Sequence, residues 1–428
     1  MRALSGLIAA VGLGVATLAV GCTPGSGANT TITVASLSSS KGPITFATGA
    51  LGTGYLPALL RQWNDAHPRQ HVTLILLPNE SDDQHAQLVA NLQTHSSRYD
   101  VMSLDVIWTA EFATNGWIVP LSPRLFPLRD FLLPAVATAR YAGKLFAVPF
   151  VSNAGLLYYR TDILNAAHVG PPRTWDQLAR LASTLAPRYH LAGYAGQLAP
   201  YEGLTVNFAE AVQSAGGSIL SPDGTTVRLD SRQARQGLQF LLDGLKAGWI
   251  PRAALRYDEA ASATAFVRGK LLFLRNWPYV YAQAAARHSA VAGKFGVTAL
   301  PGPDGPGSAV LGGSNLAISA YSRHQGTALA FIEFLTGLPS ERRVLVDASQ
   351  PPVWTNIYSD RALIRRFPYL PTLKKAILGT RPRPQIPSYG QFSLIISSTI
   401  HQALQLDWAA GPTITRLTNQ LRTFVRSG

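Results

Sequence analysis

The sequence predicts an α/β protein that is divided into two domains. The chain has 428 residues, and because a domain usually has about 100–200 residues, two domains are expected, or three. Short apolar strands alternate with helices along the chain, which indicates βαβ units and a parallel sheet. Hydrophobic residues make up 47% of the chain and charged residues 14%, which is typical of a well-packed globular protein.

The first 21 residues have the layout of a secretory signal. Arg2 supplies a positive start, residues 4–20 form an apolar run, and Cys22 follows small residues. This pattern is typical of a bacterial lipobox, in which the cysteine thiol receives a diacylglycerol and becomes the mature N-terminus. A single-pass membrane anchor is the alternative, but the run is short for the about 20 residues that cross a bilayer. We therefore expect a lipid anchor at Cys22 on the extracytoplasmic face of the cell membrane, followed by a flexible tether over 22–42.

Composition excludes several other classes of site. Cys22 is the only cysteine, so the chain can form no intramolecular disulfide and no cysteine-built zinc site. No HExxH pattern is present, and we predict neither a metal nor a cofactor. The net charge of +14 is spread thinly, and its densest runs, 374–375 and 381–383, are short. Because no nucleic-acid-binding motif accompanies this charge, we expect no nucleic-acid partner.

Apolar spacing and helix breakers predict the elements of the first half in order. Strands are predicted over residues 43–47, 72–77, 99–104, 145–150 and 155–159. Helices are predicted over residues 55–67, 82–95 and 175–185. The third helix follows the Pro171–Pro172 break, and Thr174 is its candidate N-cap. The continuous apolar run at 72–77 is typical of a strand inside a parallel sheet.

The second half continues the alternation with more helix. Helices are predicted over residues 203–215, 231–247, 260–268, 322–335 and much of 392–426. Strands are predicted over residues 270–275, 295–300 and 311–318. Gly216–Gly217 and Gly248 stand where two of these helices end, as expected of glycine at a helix C-terminus.

Several segments together resemble the family-1 extracellular solute-binding proteins of ABC importers. No single segment is specific to this family, but the order and spacing of the whole set of segments are. The segments are 100–108, 143–150, 156–160, 265–270, 276–278 and 311–318. Within that family the chain is most similar to the trehalose-binding lipoproteins of actinobacterial importers, through residues 105–112, 276–278 and 312–316.

The resemblance implies a type II periplasmic-binding-protein fold, in which two α/β lobes are joined by a hinge and the ligand lies in the cleft between them. Lobe 1 would combine residues 43–150 with about 295–330. Lobe 2 would combine about 151–294 with 331–428. The chain would cross between lobes near residues 149–152, 294–296 and 324–330. A monomer is expected.

The resemblance also implies the function. It predicts a substrate-binding lipoprotein that captures a disaccharide by lobe closure and delivers it to the permease subunits of an ABC importer. Trehalose is the expected sugar, and the alternatives are another oligosaccharide of the maltose type or a glycerophosphodiester. An exported glycoside hydrolase is the enzymatic alternative, because that chemistry needs two carboxylates and Asp105 and Glu259 could supply them. We expect a binding protein and not an enzyme.

Sugar hydroxyls are bound by planar polar side chains and the apolar face of a pyranose by an aromatic ring, in clefts between domains. The resemblance places six residues at the ligand, namely Asp105, Asn153, Glu259, Trp277, Gly313 and Arg383. Asp105 also ends a predicted strand, where open parallel sheets bind ligands. Three secondary candidates are Trp108 and Tyr201, for which packing is the stronger expectation, and Thr53 in a loop that departs from the family pattern.

Each of these residues has a structural alternative. Asp105 could be a helix N-cap or a surface acid, and Asn153 a turn residue. Trp277 could belong to the core, Glu259 could cap a helix, and Gly313 could form a tight turn. Arg381 lies two residues before Arg383 and could take its place in the cleft. The sequence alone does not decide between the ligand-binding and the structural role of each residue.

Overall fold

The structure is a computed structural model, and it describes residues 40–221, 224–380 and 382–427. The predicted signal, Cys22 and Arg381 lie outside these residues. In the described part of the chain, no helix combines the length and the apolarity that a bilayer span requires.

The strands are β1 (Ile44–Gly49), β2 (Val72–Leu77), β3 (Val101–Asp105), β4 (Arg140–Tyr141), β5 (Lys144–Leu145), β6 (Val148–Ala154), β7 (Leu156–Arg160), β8 (Ala192–Ala195), β9 (Leu271–Asn276), β10 (Phe295–Thr298) and β11 (Leu311–Ile318). The helices are α1 (Leu56–Ala66), α2 (Ser81–Gln93), α3 (Thr109–Thr114), α4 (Leu133–Thr138), α5 (Thr161–Ala166), α6 (Trp175–Leu185), α7 (Glu202–Ser214), α8 (Arg232–Lys246), α9 (Glu259–Val267), α10 (Val280–Ala285), α11 (Gln325–Thr336), α12 (Leu338–Ala348), α13 (Arg361–Arg366), α14 (Leu370–Leu378), α15 (Tyr389–Leu406) and α16 (Ala410–Ser427).

Two separate sheets form the centres of two lobes. The first sheet has the order β2-β1-β3-β11-β6, and the second has the order β10-β7-β9-β8. Strands β1, β2 and β3 run parallel, as the βαβ pattern predicts. The expectation of a fully parallel sheet is wrong, however, because β11 runs antiparallel to both of its neighbours and β7 runs antiparallel to β9 and β10.

Local sequence explains why several helices begin where they do. The Thr174 side chain accepts a hydrogen bond from the Gln177 N–H at 3.2 Å, which confirms the predicted N-cap of α6. Ser231 and Asp258 cap α8 and α9 in the same way. These side chains satisfy N–H groups that have no partner inside the helix, and such caps contribute about 1 kcal/mol each.

The chain crosses between the lobes at positions that differ from the predicted ones. Gly155 separates β6 of the first sheet from β7 of the second, slightly after the predicted crossover at 149–152. Strand β10 pairs with β7, so residues 295–298 belong to lobe 2, and assigning them to lobe 1 is wrong. The second crossover therefore lies between residues 298 and 311.

The third crossover also lies later than expected. Helix α14 packs against β6 and α4 of lobe 1, whereas α15 and α16 pack against α7 and α8 of lobe 2. The prediction that all of 331–428 belongs to lobe 2 is therefore wrong, because residues 331–378 pack on lobe 1. The chain returns to lobe 2 through residues 379–388.

Gly155 lies at the first crossover beside a buried ion pair. The Arg275 guanidinium donates to both carboxylate oxygens of Glu210 at 2.6 Å, and both side chains are almost fully buried. A Cβ at Gly155 would lie 2.2 Å from Glu210 Oε1 and 2.8 Å from Arg275 Nη2. Glycine is therefore required here because the ion pair occupies the space of a side chain.

Replacing Gly155 with alanine should destabilise the protein, because the added Cβ displaces a buried ion pair whose disruption costs about 3 kcal/mol. The expected result is a lower midpoint in urea unfolding than that of the wild type. Gly170→Ala is the matched control, since a Cβ at Gly170 meets nothing within 4 Å. Equal midpoints for the two variants would contradict this reading of Gly155.

Candidate ligand-binding cleft

A cleft lies between the two lobes and contains about 990 Å³ of space not filled by protein, part of it open to solvent. Lobe 1 contributes the ends of β1 and β3 together with β6 and β11, and lobe 2 contributes the starts of α7 and α9 and the loop after β9. The lining residues are Thr48, Gly49, Leu51, Thr53, Tyr55, Asn79, Ser81, Gln84, Ser103, Asp105, Trp108, Val151, Asn153, Glu202, Gly203, Val206, Glu259, Trp277, Tyr279, Gly312, Gly313, Ser314, Gln350 and Arg383.

Arg383 joins the two lobes at the floor of the cleft. Its Nη2 donates to Asp105 Oδ1 at 3.0 Å and to the Leu311 carbonyl at 3.3 Å, both in lobe 1. Its Nη1 donates to Glu202 at the start of α7 in lobe 2. The Arg383 side chain is 3% exposed, so this ion pair is shielded from water. We call Asp105, Arg383 and Glu202 the interlobe bridge.

Glu202 is held by several donors besides Arg383. The Tyr389 hydroxyl donates to Glu202 Oε1 at 2.9 Å, and the Ser393 hydroxyl donates to Oε2. Burial raises the pKa of Glu202 to about 7, and the Arg383 charge and the Ser393 hydroxyl oppose that rise. Burial by itself would lower the pKa of Arg383, but the neighbouring Asp105 and Glu202 carboxylates outweigh it and raise that pKa. Three donors on one carboxylate fix its position.

Glu259 and Trp277 form the facing wall of the cleft in lobe 2. The Tyr201 hydroxyl donates to Glu259 Oε2 at 2.6 Å, and Trp277 Nε1 lies 3.5 Å from Glu259 Oε1. Burial raises the pKa of Glu259, and the Tyr201 hydrogen bond opposes the rise. The Arg275 guanidinium lies 4.1 Å from the Trp277 ring centroid, so a cation covers one face of the indole.

A buried polar network behind Trp277 holds it in place. Asn276 accepts a hydrogen bond from the Trp277 N–H at 2.7 Å and donates to Ser262 at 3.0 Å. Gln197 accepts from Arg275 at 2.9 Å and donates to Ser262 at 2.8 Å. The ion pair of Arg275 with Glu210 thus continues into the network that positions the cleft tryptophan.

Two glycines let β11 approach its neighbours closely at the cleft. Gly313 has φ of 117°, and a Cβ there would lie 1.9 Å from the Val151 carbonyl oxygen. A Cβ at Gly312 would lie 2.9 Å from the Trp277 ring and 3.4 Å from Asn153 Cβ. Only glycine fits at these positions, so the Trp277 ring and Asn153 Cβ can both lie close to the strand backbone.

Four cleft-lining side chains carry a buried polar atom that has no hydrogen-bond partner among the described residues. These atoms are Asn153 Oδ1, Tyr279 Oη, Gln350 Oε1 and Arg383 Nε. Buried polar groups in native proteins are nearly always paired, so unpaired ones call for an explanation. Four of the nine unpaired buried side-chain atoms among the described residues thus lie on this one cleft.

The comparisons with known proteins agree with a two-lobed binding protein. The family of bacterial extracellular solute-binding proteins matches residues 49–339. A probable ABC transporter-binding protein of Deinococcus radiodurans is 32% identical over 394 residues, which cover 88% of this chain and 92% of that protein.

The chain belongs to the bacterial extracellular solute-binding protein family.

Solved structures show the same fold for this solute-binding protein. Maltose-bound MalE3 of T. maritima matches with a TM-score of 0.85 and 32% identity, over 89% of this chain and 99% of that one. The GacH receptor of Streptomyces glaucescens, solved with acarbose, matches with a TM-score of 0.81 and 22% identity, over 90% and 99% of the two chains. The protein is thus a solute-binding protein and not an enzyme.

The structure brings all six of the predicted ligand residues of this solute-binding protein to one cleft. Asp105, Asn153, Glu259, Trp277, Gly313 and Arg383 all line it, as do the secondary candidates Thr53 and Trp108. Tyr201 does not line the cleft, but its hydroxyl positions the Glu259 carboxylate by donating a hydrogen bond to it. Trp108 is 3% exposed and lies near His85 and Phe112, which agrees with the expected packing role. Ligand contact by these residues stays a prediction.

The structure also decides the alternatives for these positions. Asn153 and Gly313 lie inside strands and not in turns. Helix α3 begins at Thr109, so Asp105 is not its N-cap. Asp258 and not Glu259 supplies the α9 cap. Trp277 is only half-buried and lines the cleft, so it is not plain core.

The sequence did not predict several of the residues that line the cleft. They are Ser81, Gln84, Ser103, Glu202, Tyr279, Ser314 and Gln350. For Glu202 the available signal is an acidic residue in the first turn of a helix. Gln350 has no such signal, because it reaches the cleft only through the packing of α12 onto lobe 1.

Acidic groups of both lobes meet at the cleft mouth. Glu80 and Asp83 of lobe 1 share a cavity with Arg256 and Asp258 of lobe 2. Burial first, and then the charges of Asp82, Asp83 and Glu259, raise the pKa of Glu80 to about 7. The folded form therefore favours protonated Glu80.

This shift predicts that Glu80 makes stability depend on pH. Because its folded pKa lies above the ordinary value of 4.5, the stabilisation is complete below about pH 4.5 and is lost as pH rises through about 7. The Tm of the wild type should therefore fall between pH 5 and pH 8. The Tm of Glu80→Gln should fall by about 2 °C less over the same range.

Asp65→Asn is the matched control for Glu80→Gln, since Asp65 is an exposed acid on α1. It should follow the wild-type profile in a differential scanning calorimetry series. If Tm depended on pH in the same way in Glu80→Gln and the wild type, the raised pKa of Glu80 would be contradicted.

Proposed function

We propose that this solute-binding protein captures a neutral, α-linked glucose disaccharide by closing its lobes and presents it to an ABC permease. Sugar binding is supported most directly by the cluster of unpaired buried polar atoms on Asn153, Tyr279, Gln350 and Arg383. Hydroxyls both donate and accept hydrogen bonds, so a sugar could satisfy the carbonyl, amine-type and hydroxyl groups of this set together.

Aromatic and acidic groups support a pyranose in the same place. Trp277 lines the cleft with Arg275 over one face of its ring, which leaves the other face for the apolar side of a sugar. Asp105 and Glu259 carry carboxylate oxygens, and carboxylates accept strong hydrogen bonds from hydroxyls. Asp105 accepts hydrogen bonds from Arg383 and from the Ile107 N–H, and Glu259 accepts from Tyr201 and Trp277, so both carboxylates are held in place for the ligand.

The charge of the cleft favours a neutral ligand over a glycerophosphodiester. Among the described lining residues, Arg383 is the one cation, whereas Asp105, Glu202 and Glu259 are acids. Arg383 is already paired with two of these acids. A phosphate would therefore meet net negative charge and no unpaired cation, which is unfavourable in a shielded site.

Trehalose and maltose are the two sugars to compare first. Trehalose follows from the sequence resemblance at 105–112, 276–278 and 312–316. Maltose is supported by the 32% identity to the maltose-bound T. maritima protein. Both sugars join glucose units by an α linkage, so the proposed polar set and the tryptophan serve either.

We further propose that Cys22 carries the lipid that holds the protein at the membrane. The described chain enters lobe 1 at Ser40, whose hydroxyl accepts from the Gly326 N–H at 3.0 Å. Cys22→Ser should move the protein from the membrane fraction to the medium, as measured by immunoblot. Retention of the variant in the membrane fraction would contradict the lipid anchor.

Sugar binding should depend on Trp277. Isothermal titration of the mature protein with trehalose, maltose, sucrose and glycerophosphocholine should give heat for an α-linked glucose disaccharide. Trp277→Ala should weaken that binding at least about tenfold, because it removes an aromatic surface worth about 1.5 kcal/mol or more.

Trp408→Ala is the matched control, since Trp408 packs with Arg416 on α16, outside the cleft. It should bind like the wild type. Tight binding of glycerophosphocholine alone, or equal affinities for the two tryptophan variants, would overturn the proposed site.

A further inference from the structure

Positive charge is concentrated on helices α13 and α14 of lobe 1. The chain has no acidic residue between Asp360 and Asp407, whereas these two helices carry five cations, all of them exposed except the half-buried Lys374. None of the five lines the cleft. We call them the basic face, which consists of Arg361, Arg365, Arg366, Lys374 and Lys375.

The acids nearest to the basic face are already neutralised by other groups. Asp360 accepts a hydrogen bond from Arg342 at 2.7 Å, and Asp347 accepts one from Arg343 at 2.9 Å. Glu341 is fully buried, and burial raises its pKa well above the ordinary value, which favours its neutral form. In the part of the chain that the structure describes, no carboxylate pairs with any of the five cations of the basic face.

Folding brings the charges of the two helices onto one surface. Both helices pack against residues 355–359, and Lys374 Nζ donates to Ser359 Oγ at 3.4 Å, close to the start of α13. Arg361 and Arg365 are four residues apart on α13, so they lie on one face of the helix and repel each other. An anionic partner would relieve this repulsion.

Two exposed leucines adjoin the basic face. Leu378 is 53% exposed and follows Lys374 and Lys375 at helical spacing on α14, so the three side chains share one face. Leu133 is 73% exposed and begins α4, which packs against α14. Large apolar side chains next to cations are typical of surfaces that lie on a bilayer, where the apolar groups enter the interface and the cations meet anionic lipids.

We propose that the basic face binds the anionic head groups of a phospholipid bilayer and thereby orients the protein on the membrane. The inference rests on the proposed lipid at Cys22 for its setting in the cell, because that anchor brings lobe 1 to the membrane. The described chain enters lobe 1 at Ser40, and the 17 residues between Cys22 and Ser40 can span up to about 60 Å when extended. The cleft stays accessible, since the basic face lies outside it.

The test is cosedimentation with vesicles of phosphatidylglycerol or of phosphatidylcholine. The parent protein is the purified mature chain with Cys22→Ser, which cannot carry the lipid. It should bind phosphatidylglycerol vesicles at about 0.1 M salt, leave them at about 1 M salt because the charges are then screened, and not bind phosphatidylcholine vesicles.

The triple variant Arg361→Gln/Arg365→Gln/Lys375→Gln should bind phosphatidylglycerol vesicles at least about twentyfold more weakly than the parent, because each cation at an anionic surface contributes about fivefold. Leu378→Ser should bind at least about threefold more weakly, because it removes an apolar contact with the bilayer.

Matched controls remove the same groups from lobe 2. Lys246→Gln/Arg422→Gln/Arg426→Gln removes three exposed cations from α8 and α16 and should bind like the parent. Leu406→Ser removes a leucine that is 60% exposed at the end of α15 and should also bind like the parent.

Four results would overturn the proposal. They are no binding of the parent to phosphatidylglycerol vesicles at the lower salt, equal binding to the two kinds of vesicle, equal affinities of the two triple variants, and equal affinities of the two leucine variants. None of these results bears on the lipid anchor, which the fractionation of Cys22→Ser tests, or on sugar binding, which the titrations test.

Discussion

The arrangement of the cleft depends on one buried ion bridge. Arg383 lies between Asp105 of lobe 1 and Glu202 of lobe 2, and because the Arg383 and Glu202 side chains are almost fully buried, neither of those two charges would be stable alone. Removing one partner of a buried pair leaves an uncompensated charge and costs about 3–5 kcal/mol. The end of β3, the start of α7 and the segment between α14 and α15 are therefore held together, and the separation of the lobes at the cleft floor is set by these three side chains.

A second buried ion pair has a similar role within lobe 2. Arg275 and Glu210 neutralise each other behind the cleft, and the same guanidinium lies over the Trp277 ring. The aromatic wall is thus rigid before any ligand arrives. A preorganised wall reduces the entropy that is lost on binding. The carboxylates of the two ion pairs neutralise the guanidinium groups of Arg383 and Arg275 near the cleft. The site therefore suits a neutral molecule rich in hydroxyls.

Local sequence predicted some parts of the protein well. Strands β2 and β11 and helix α6 have the predicted bounds, because apolar periodicity and helix caps act over a few residues. The position of Asp105 at the end of a parallel strand is also a local property. Pairing between distant segments was not predictable in this way. The antiparallel partners of β11, the place of β10 in lobe 2 and the packing of 331–378 on lobe 1 depend on contacts between residues far apart in the chain. Glu202, Tyr279 and Gln350 become cleft residues only through such packing.

The proposed function requires that the two lobes close when a disaccharide binds in the cleft between them. Small-angle X-ray scattering of the mature protein, with and without the saturating sugar, measures this directly. The radius of gyration of the wild type should fall when sugar is added. Asp105→Ala, which lacks one of the proposed ligand residues, should not contract at the sugar concentration that saturates the wild type. An unchanged radius in the wild type, or full contraction of Asp105→Ala, would contradict the proposed function.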